Sequence, residues 1–369
     1  MKFAFIPVLK QIGKEAAKHN LKVWAVGGFA RDRILGKHTY DIDICTEGDS
    51  APLLKFCQKN YGAKITKFAD FGTARAELSN GLKLDFVRCR KEVYTRPAAL
   101  PKVSPSNLKD DLLRRDFTCN ALALSILPDE FFKEYDLFES RPAIEKGYIK
   151  ILHAKSFCDD PTRLFRAVRF AARFSWDIES ETLKLFATAV KQNMPALLSR
   201  KRISNELVKI LKEAAPYRAL KLAQKYGLTE FIFKNFKFNR KIDLLKDYKE
   251  RLALLALLQG SRAREFLNFL QFDRQDCALA LELLKFYQSK AAPFKALDKQ
   301  TLKILKLFKP SLKPWQLKPL LLKAADIEPL GFKGPQIGLA LKALSKAQYK
   351  GRVKNKKSAF VFIKTLAAK

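Results

Sequence analysis

The sequence predicts an α+β fold, with a mixed β-sheet and flanking helices up to about residue 145 and an all-helical remainder. Two observations carry this prediction. Short apolar or alternating runs, bounded by glycine and asparagine turn signals, crowd the first part of the chain. From Asp160 onward these strand signals nearly vanish. Helical periodicity then runs to the end, broken at Pro195, Pro216, Pro293, Pro310, Pro314 and Pro319. No fixed-period repeat and no low-complexity segment is visible in either part.

Residues 1–20 read as a helix, with Ile6, Leu9, Ile12 and Ala16 spaced about one per turn. Val23–Val26 has the composition of a buried strand. Gly27 and Gly28 turn the chain into a helix-like stretch, Phe29–Leu35, which Gly36 stops. A second strand-like run carries Asp41 and Asp43 on one face and Ile42 and Ile44 on the other. Residues 51–60 fit a helix. Ile65–Phe68, Thr73–Leu78 and Leu82–Val87 read as short strands, with Ser79-Asn80-Gly81 as a hairpin turn signal. The stretch 91–106 carries Pro97, Pro101 and Pro105 and reads as an irregular, mobile loop.

Composition narrows the class of partner. The chain has 369 residues, enough for about two to four packed units, and is 48% hydrophobic, ample for a core. Against 37 acidic residues stand 71 Lys and Arg, a formal charge of +34. That excess is far beyond what solubility requires and points to a polyanion. Nucleic acid is favoured over an anionic membrane, because no long uncharged apolar stretch and no isolated basic amphipathic tail is present. The N-terminal apolar run is too brief, and too closely followed by Lys14 and Glu15, for a signal peptide. Cys45, Cys57, Cys89, Cys119, Cys158 and Cys277 show no Cys-x-x-Cys spacing. They read as buried thiols of a reducing, cytoplasmic compartment, neither a zinc site nor a disulfide frame. His19, His38 and His153 are far apart, and no His-Asp pair of the metal-dependent phosphohydrolase kind occurs.

Four stretches carry chemistry. Two acids at a strand end are often only solvated, but Asp41 and Asp43 follow Gly27-Gly28 and Arg31-Asp32 by about ten residues. Two such carboxylates suit a pair of Mg²⁺ ions about 3.5–4 Å apart, one activating an attacking hydroxyl and one clamping a triphosphate. Asp85, in a neighbouring strand, either joins them or is structural. Glycine at 27 and 28 would let the backbone approach a phosphate at the start of the following helix. Arg31 would reach the same phosphates or stand as an exposed helix charge. In Leu112–Leu122, LLRRDFTCNAL, the polar groups of Arg115, Asp116 and Asn120 sit among apolar residues. They suit a ribose and its phosphates, or else Arg115 forms a buried salt bridge with Asp116 or a neighbour.

The third stretch is Asp159–Phe174, DDPTRLFRAVRFAARF. Asp160 fits a helix N-cap and Pro161 the first helical position. At about 100° per residue, Arg163, Arg166, Arg169 and Arg173 share an arc of about 120°, opposite Leu164, Phe165, Val168 and Ala171. Four like charges on one face repel, and an anionic ligand would relieve them. The fourth stretch, Arg200–Leu211, has a packing stripe of Ile203, Leu207, Ile210 and Leu211 and an i,i+4 pair, Arg202 and Glu206. It reads as structural. The lysine-rich end, with Lys342, Lys346, Lys350, Arg352, Lys354, Lys356 and Lys357, is either a solvated face or a phosphate-contacting one.

These motifs, in this order, resemble the class II nucleotidyltransferases: the tRNA CCA-adding enzymes and bacterial poly(A) polymerases. The matching segments are GG-x-x-RD at Gly27–Asp32, D-x-D at Asp41–Asp43 and RRDFT-x-NA at Arg114–Ala121. An acidic-Asp-x-x-Arg segment follows at Asp159–Arg163 and Arg-x-x-x-Glu at Arg202–Glu206. Together they cover about residues 22–211, and Gly334–Gly338, GPQIG, is a weaker C-terminal match. Ala30 stands where the family usually has Val, and Asp159 where Glu is typical. Neither change removes a metal ligand.

The resemblance implies a nucleotidyltransferase head over 1–145, a base-recognising neck over 146–215 and a helical, tRNA-binding body and tail over 216–369. It implies Mg²⁺ on Asp41 and Asp43, and nucleotide contacts from Gly27, Gly28, Arg31, Arg115, Asp116 and Asn120. Asp160 and Arg163 would read the base edge of CTP or ATP, with Arg166 and Arg169 supporting the triphosphate or the template. The implied reaction is CCA addition to the tRNA 3′ end with release of pyrophosphate. The motifs leave CC-only, A-only and poly(A) addition open, and the 91–106 loop, altered in CC-only members, favours a competent A-addition step. A non-catalytic RNA-binding protein is the alternative from another class. Oligomeric state is not legible.

Overall fold

A computed structural model of the chain describes residues 5–37, 39–68 and 73–367. The first four residues of the predicted N-terminal helix, and His38, lie outside them. Two compact units are present: Met1–Ser199 with Leu222–Leu228, and Arg200–Lys221 with Thr229–Lys369. Residues 146–199 thus lie in the first unit and 200–215 in the second.

The first unit is built on a mixed sheet. Helix α1 (Phe5–Lys18) buries Val8, Leu9, Ile12 and Ala16. Gly13 lets it close on the Ile126 carbonyl, where a Cβ would come to 1.7 Å. Then come β1 (Lys22–Val26), α2 (Gly28–Ile34), β2 (Asp41–Glu47), α3 (Ala51–Tyr61), β3 (Lys64–Phe68), β4 (Thr73–Glu77) and β5 (Lys83–Arg88). The predicted Ser79–Gly81 turn joins the last two, with Gly81 at φ +83° and the Asn80 side chain accepting from the Leu82 N–H.

The stretch 91–106 corrects the sequence reading. It is no irregular loop: β6 (Arg90–Val93) pairs antiparallel with β7 (Lys102–Pro105) as a hairpin. Its prolines hid it. Pro97 and Pro101 lie in the connection between the strands, and Pro105 closes the outer end of a two-stranded ribbon, where proline is tolerated. Helix α4 (Leu108–Leu113), β8 (Leu122–Ser125), β9 (Glu134–Asp136) and α5 (Ser140–Lys146) follow.

The sheet runs β3-β4-β5-β2-β1-β8-β9. Neighbours are antiparallel except β2 and β5, which are parallel. Alternation in β2 buries Ile42 and Ile44 and leaves Asp41 and Asp43 exposed. After the sheet come β10 (Tyr148–Ile149), α6 (Ser156–Asp159), α7 (Thr162–Phe174), β11 (Asp177–Ile178) and α8 (Ser180–Lys191). The pair β10–β11 is parallel and two residues long. All six cysteines are free thiols.

The second unit is helical. Helix α9 (Arg200–Leu211) buries its predicted stripe, and its buried Glu206 pairs with Lys209 at 2.7 Å. Helix α10 (Pro216–Lys225), which belongs to this unit as far as Lys221, and α11 (Thr229–Ile232) lead to α12 (Tyr248–Leu258), where Arg251–Leu257 are all buried. A helix apolar on every side belongs at the centre of its unit. Arg251 is its one charged buried residue, and it donates to the carbonyls of Leu245, Leu211 and Glu213, closing the end of α9. Beyond lie α13 (Ala263–Phe269), α14 (Arg274–Ser289), α15 (Lys299–Phe308), α16 (Pro314–Leu317), α17 (Ala324–Ile327), α18 (Pro335–Tyr349) and α19 (Lys356–Ala367). The last helices enclose a cluster around Leu322, Ile327, Leu344, Val353 and Ile363. Lys342, Lys346, Lys350, Arg352, Lys354, Lys356 and Lys357 are all exposed. Among the described residues no helix is long and apolar enough to cross a membrane.

Candidate active site

The site lies within the first unit, where β1 ends and α2 begins. Gly27 has φ +67°. A Cβ there would come within 2.7 Å of Arg115 Nη1 and 3.5 Å of Asp43 Oδ2, so the glycine backbone is what lets these two side chains converge. Gly27, at φ +67° and ψ −125°, lies where side-chain-bearing residues are rare, and Gly27→Ala is expected to cost about 1–3 kcal/mol from the backbone strain alone. Displacement of Arg115 adds to it; a denaturant titration of the variant measures the sum.

Asp43 pairs in register with Val26 on one side and Asp85 on the other. The residue as a whole is exposed on the strand, but its carboxyl is set into the lining of a cavity. Burial of the carboxyl pushes its pKa up against the opposing pull of Arg115, and the Asp85 and Asp41 charges push it further. Asp85 is gripped by Arg75 through two hydrogen bonds of 2.7 and 2.6 Å, across the β4–β5 register. Asp41 sits two residues along the same face as Asp43, exposed, outside the residues that line the cavity. A carboxylate set that crowds its own negative charge is the donor chemistry a hard divalent cation requires.

The cavity has a volume of about 580 Å³. It gathers the predicted residues Gly27, Gly28, Arg31, Asp43, Arg115, Asp116 and Asn120 from the sheet end. From the α7 side come Asp160, Arg163, Arg166 and Arg169, with Arg173 beyond them. Seven arginines and four carboxylates line it in all, an excess of positive charge that suits a polyanionic ligand.

Each arginine is held differently. Arg31 is no exposed helix charge: it is 4% exposed, donates to Asp32 and to Asn120, and lies 4.6 Å from the Phe174 ring centre. Arg115 pairs with Asp111 at 2.9 Å, and Arg114 pairs with Asp111 and with Glu92. Asp116 accepts from Arg166 at 2.8 and 2.6 Å, and from Asn120 and the Phe117 N–H. Of the two salt-bridge readings, Arg115 with Asp116 or with a neighbour, the second is found: Arg115 pairs with Asp111, and Asp116 with Arg166. Asp111 lies four residues before Arg115, about one helical turn, which brings the two together.

Helix α7 has the face the sequence predicts. Leu164, Phe165, Val168 and Ala171 are buried on one side, and the four arginines line the cavity on the other. Asp160 is extended, and its carboxylate accepts from the Thr162 N–H and hydroxyl, which makes it the cap. Arg163 donates to Ser156 Oγ and to the Arg114 carbonyl, each at 2.7 Å.

Several residues here carried no signal in sequence. Glu92 and Tyr94 reach the cavity from the β6–β7 hairpin, with the Tyr94 hydroxyl donating to Glu92 at 3.0 Å. Burial, and then the Glu92 charge beside it, push the Tyr94 phenol well up. Asp111, fully buried under Arg114 and Arg115, was missed as well, although its i,i+3 and i,i+4 spacing to them was a usable signal. Ser156 and Thr162 were hidden as ordinary small residues.

Comparison with known proteins bears on this site. The family described as Poly A polymerase head domain matches residues 23–150, and that described as probable RNA and SrmB-binding site of polymerase A matches 177–239. An A-adding tRNA nucleotidyltransferase of Aquifex aeolicus is 38% identical over 222 residues, covering 60% of this chain and 27% of the relative. One of Geobacter sulfurreducens is 40% identical over 227 residues, covering 62% and 26%. The chain thus spans about a quarter of the length of these relatives. A solved structure described as a tRNA-processing enzyme with CTP superposes with a TM-score of 0.63 at 28% identity, covering 91% of this chain and 98% of that one.

Proposed function

The chain belongs to the class II nucleotidyltransferase family of tRNA nucleotidyltransferases and bacterial poly(A) polymerases, and on that premise we propose that it adds CMP and AMP, from CTP and ATP, to the 3′ end of tRNA. The observation that carries this reading is the arginine-lined cavity with Asp43 in its lining. In the reaction the terminal tRNA hydroxyl attacks the α-phosphorus in line. A new P–O bond forms at the α-phosphorus, the bond from the α-phosphorus to the α,β-bridging oxygen breaks, and pyrophosphate leaves with that oxygen and its charge while the hydroxyl proton passes to solvent.

Asp43 and Asp41 would hold Mg²⁺, which would lower the pKa of the attacking hydroxyl and neutralise charge on the triphosphate. Arg115, Arg166 and Arg169 neutralise phosphate oxygens, and the bare backbone at Gly27–Gly28 gives the triphosphate room. Arg31, locked to Asn120, keeps the floor of the cavity rigid. Asp116 and Asn120 border the ribose. Asp160 and Arg163 read the edge of the base, and a wrong base leaves their buried polar groups unmatched. In functional terms 1–145 is the catalytic part, 146–215 selects the nucleotide, and 216–369 holds RNA. The exposed lysines of α18 and α19 contact phosphates there, so binding weakens as salt rises.

The A-adding relatives favour a second reading, AMP addition alone. One experiment separates the two. The protein is incubated with tRNA ending before CCA, and with tRNA ending in CC, offering CTP and ATP singly and together, and the products are sequenced. CCA on the first substrate supports the proposal, whereas A on the second substrate alone supports the second reading. Long A tails point to poly(A) addition, and no incorporation on either RNA overturns catalysis.

A further inference from the structure

Arg163 is held unlike four of the other arginines of the cavity. Arg31, Arg114, Arg115 and Arg166 each have a carboxylate partner within 3.2 Å. The hydrogen bonds of Arg163 go instead to two neutral acceptors, the Ser156 hydroxyl and the Arg114 carbonyl. Two bonds to different nitrogens of a planar guanidinium fix its plane, and with neutral acceptors its charge reaches carboxylates such as Asp116 only at longer range. Ser156 has no solvent exposure, and its Oγ bond spans seven residues from α6 to α7. Asp160 is fixed in a comparable way. The Thr162 hydroxyl donates to Asp160 Oδ1 at 2.6 Å, and the Thr162 N–H donates to the same oxygen at 3.0 Å. A backbone N–H suffices for a helix cap. The added hydroxyl bond fixes the rotation of the carboxylate as well.

Resting on the base-reading role given to Asp160 and Arg163, we propose that Ser156 and Thr162 are positioning residues that determine nucleotide specificity. Each uses a buried hydroxyl to fix one member of the base-reading pair. Neither touches the nucleotide. Without them the pair keeps its chemistry but loses its direction, so a wrong base finds partners by side-chain rotation. Discrimination then falls more than turnover does.

The test compares the 369-residue protein with its variants Ser156→Ala, Thr162→Val, Thr162→Ser and Arg163→Ala. Values of kcat and KM are measured for CTP, ATP, UTP and GTP on tRNA substrates, with a thermal melt of each variant. Ser156→Ala and Thr162→Val are expected to lower the preference for CTP and ATP over UTP and GTP about tenfold. Thr162→Ser, which keeps the hydroxyl, restores it. Equal loss for all four nucleotides in both variants, with unchanged ratios, overturns the proposal and leaves a merely structural role. If Arg163→Ala shifts the ratios and neither hydroxyl variant does, this inference alone fails. If Arg163→Ala leaves them unchanged too, the base-reading assignment falls with it.

Discussion

Asp43→Ala abolishes nucleotide incorporation, by at least about 10³-fold, while tRNA binding persists. Magnitudes of that order follow when the group that anchors a metal or stabilises developing charge is removed. Asp43 is the acid that both lines the cavity and sits against Arg115 across Gly27. Asp43→Asn gives the same loss through a nearly isosteric change. It is also expected to leave the melting temperature unchanged or to raise it, because the carboxylate is crowded by burial and by Asp85 and Asp41. Activity and stability thus move independently, as they do where a site keeps charge that the fold alone would reject. A variant that retains incorporation with CTP or ATP removes Asp43 from the metal site. Asp41→Ala, at the exposed strand end, provides the companion measurement.

What was legible in sequence was whatever local rules specify. The period-2 alternation of β2 put Asp41 and Asp43 on one face, and the glycine pair marked the turn before α2. The 3.6-residue period of α7 separated Leu164 and Val168 from Arg163 and Arg166. Pairings set by the tertiary fold were not legible. Asp116 and Arg166 are fifty residues apart, and nothing local distinguishes that partnership from one with Arg115. The β6–β7 hairpin was missed because three prolines weigh against a strand when read singly, and only the register shows that they fall in the connection and at the ribbon's end. With the hairpin went Glu92 and Tyr94. The small hydroxyls of Ser156 and Thr162 have no pattern at all; only the partner atom gives them meaning.

Asp116→Ala is expected to cost about 3 kcal/mol of stability, the scale for removing one member of a mostly buried ion pair. The carboxylate is 8% exposed and accepts four hydrogen bonds, from Arg166 twice, Asn120 and the Phe117 N–H. Burial by itself would raise its pKa. The Arg166 charge, the Asn120 and Arg166 hydrogen bonds and the more distant Arg163 charge outweigh it, and hold the group down to about 2. A carboxyl depressed on folding stabilises the protein above its unfolded pKa, near 4, and that contribution is lost as pH falls from about 4 to about 2. The linked stability is about 2–3 kcal/mol, from roughly 1.4 kcal/mol per pKa unit. Urea unfolding at a series of pH values checks this. The wild type loses that increment between pH 4 and 2, and Asp116→Asn, already lower at neutral pH, lacks it. The same substitution takes the carboxylate from beside Arg166, on the arginine face of α7, so KM for the triphosphate rises along with the loss of stability. A neutral-pH midpoint unchanged by Asp116→Ala would mean that the network orders the cavity without supporting the fold. An unchanged KM would mean that Arg166 takes its direction from elsewhere.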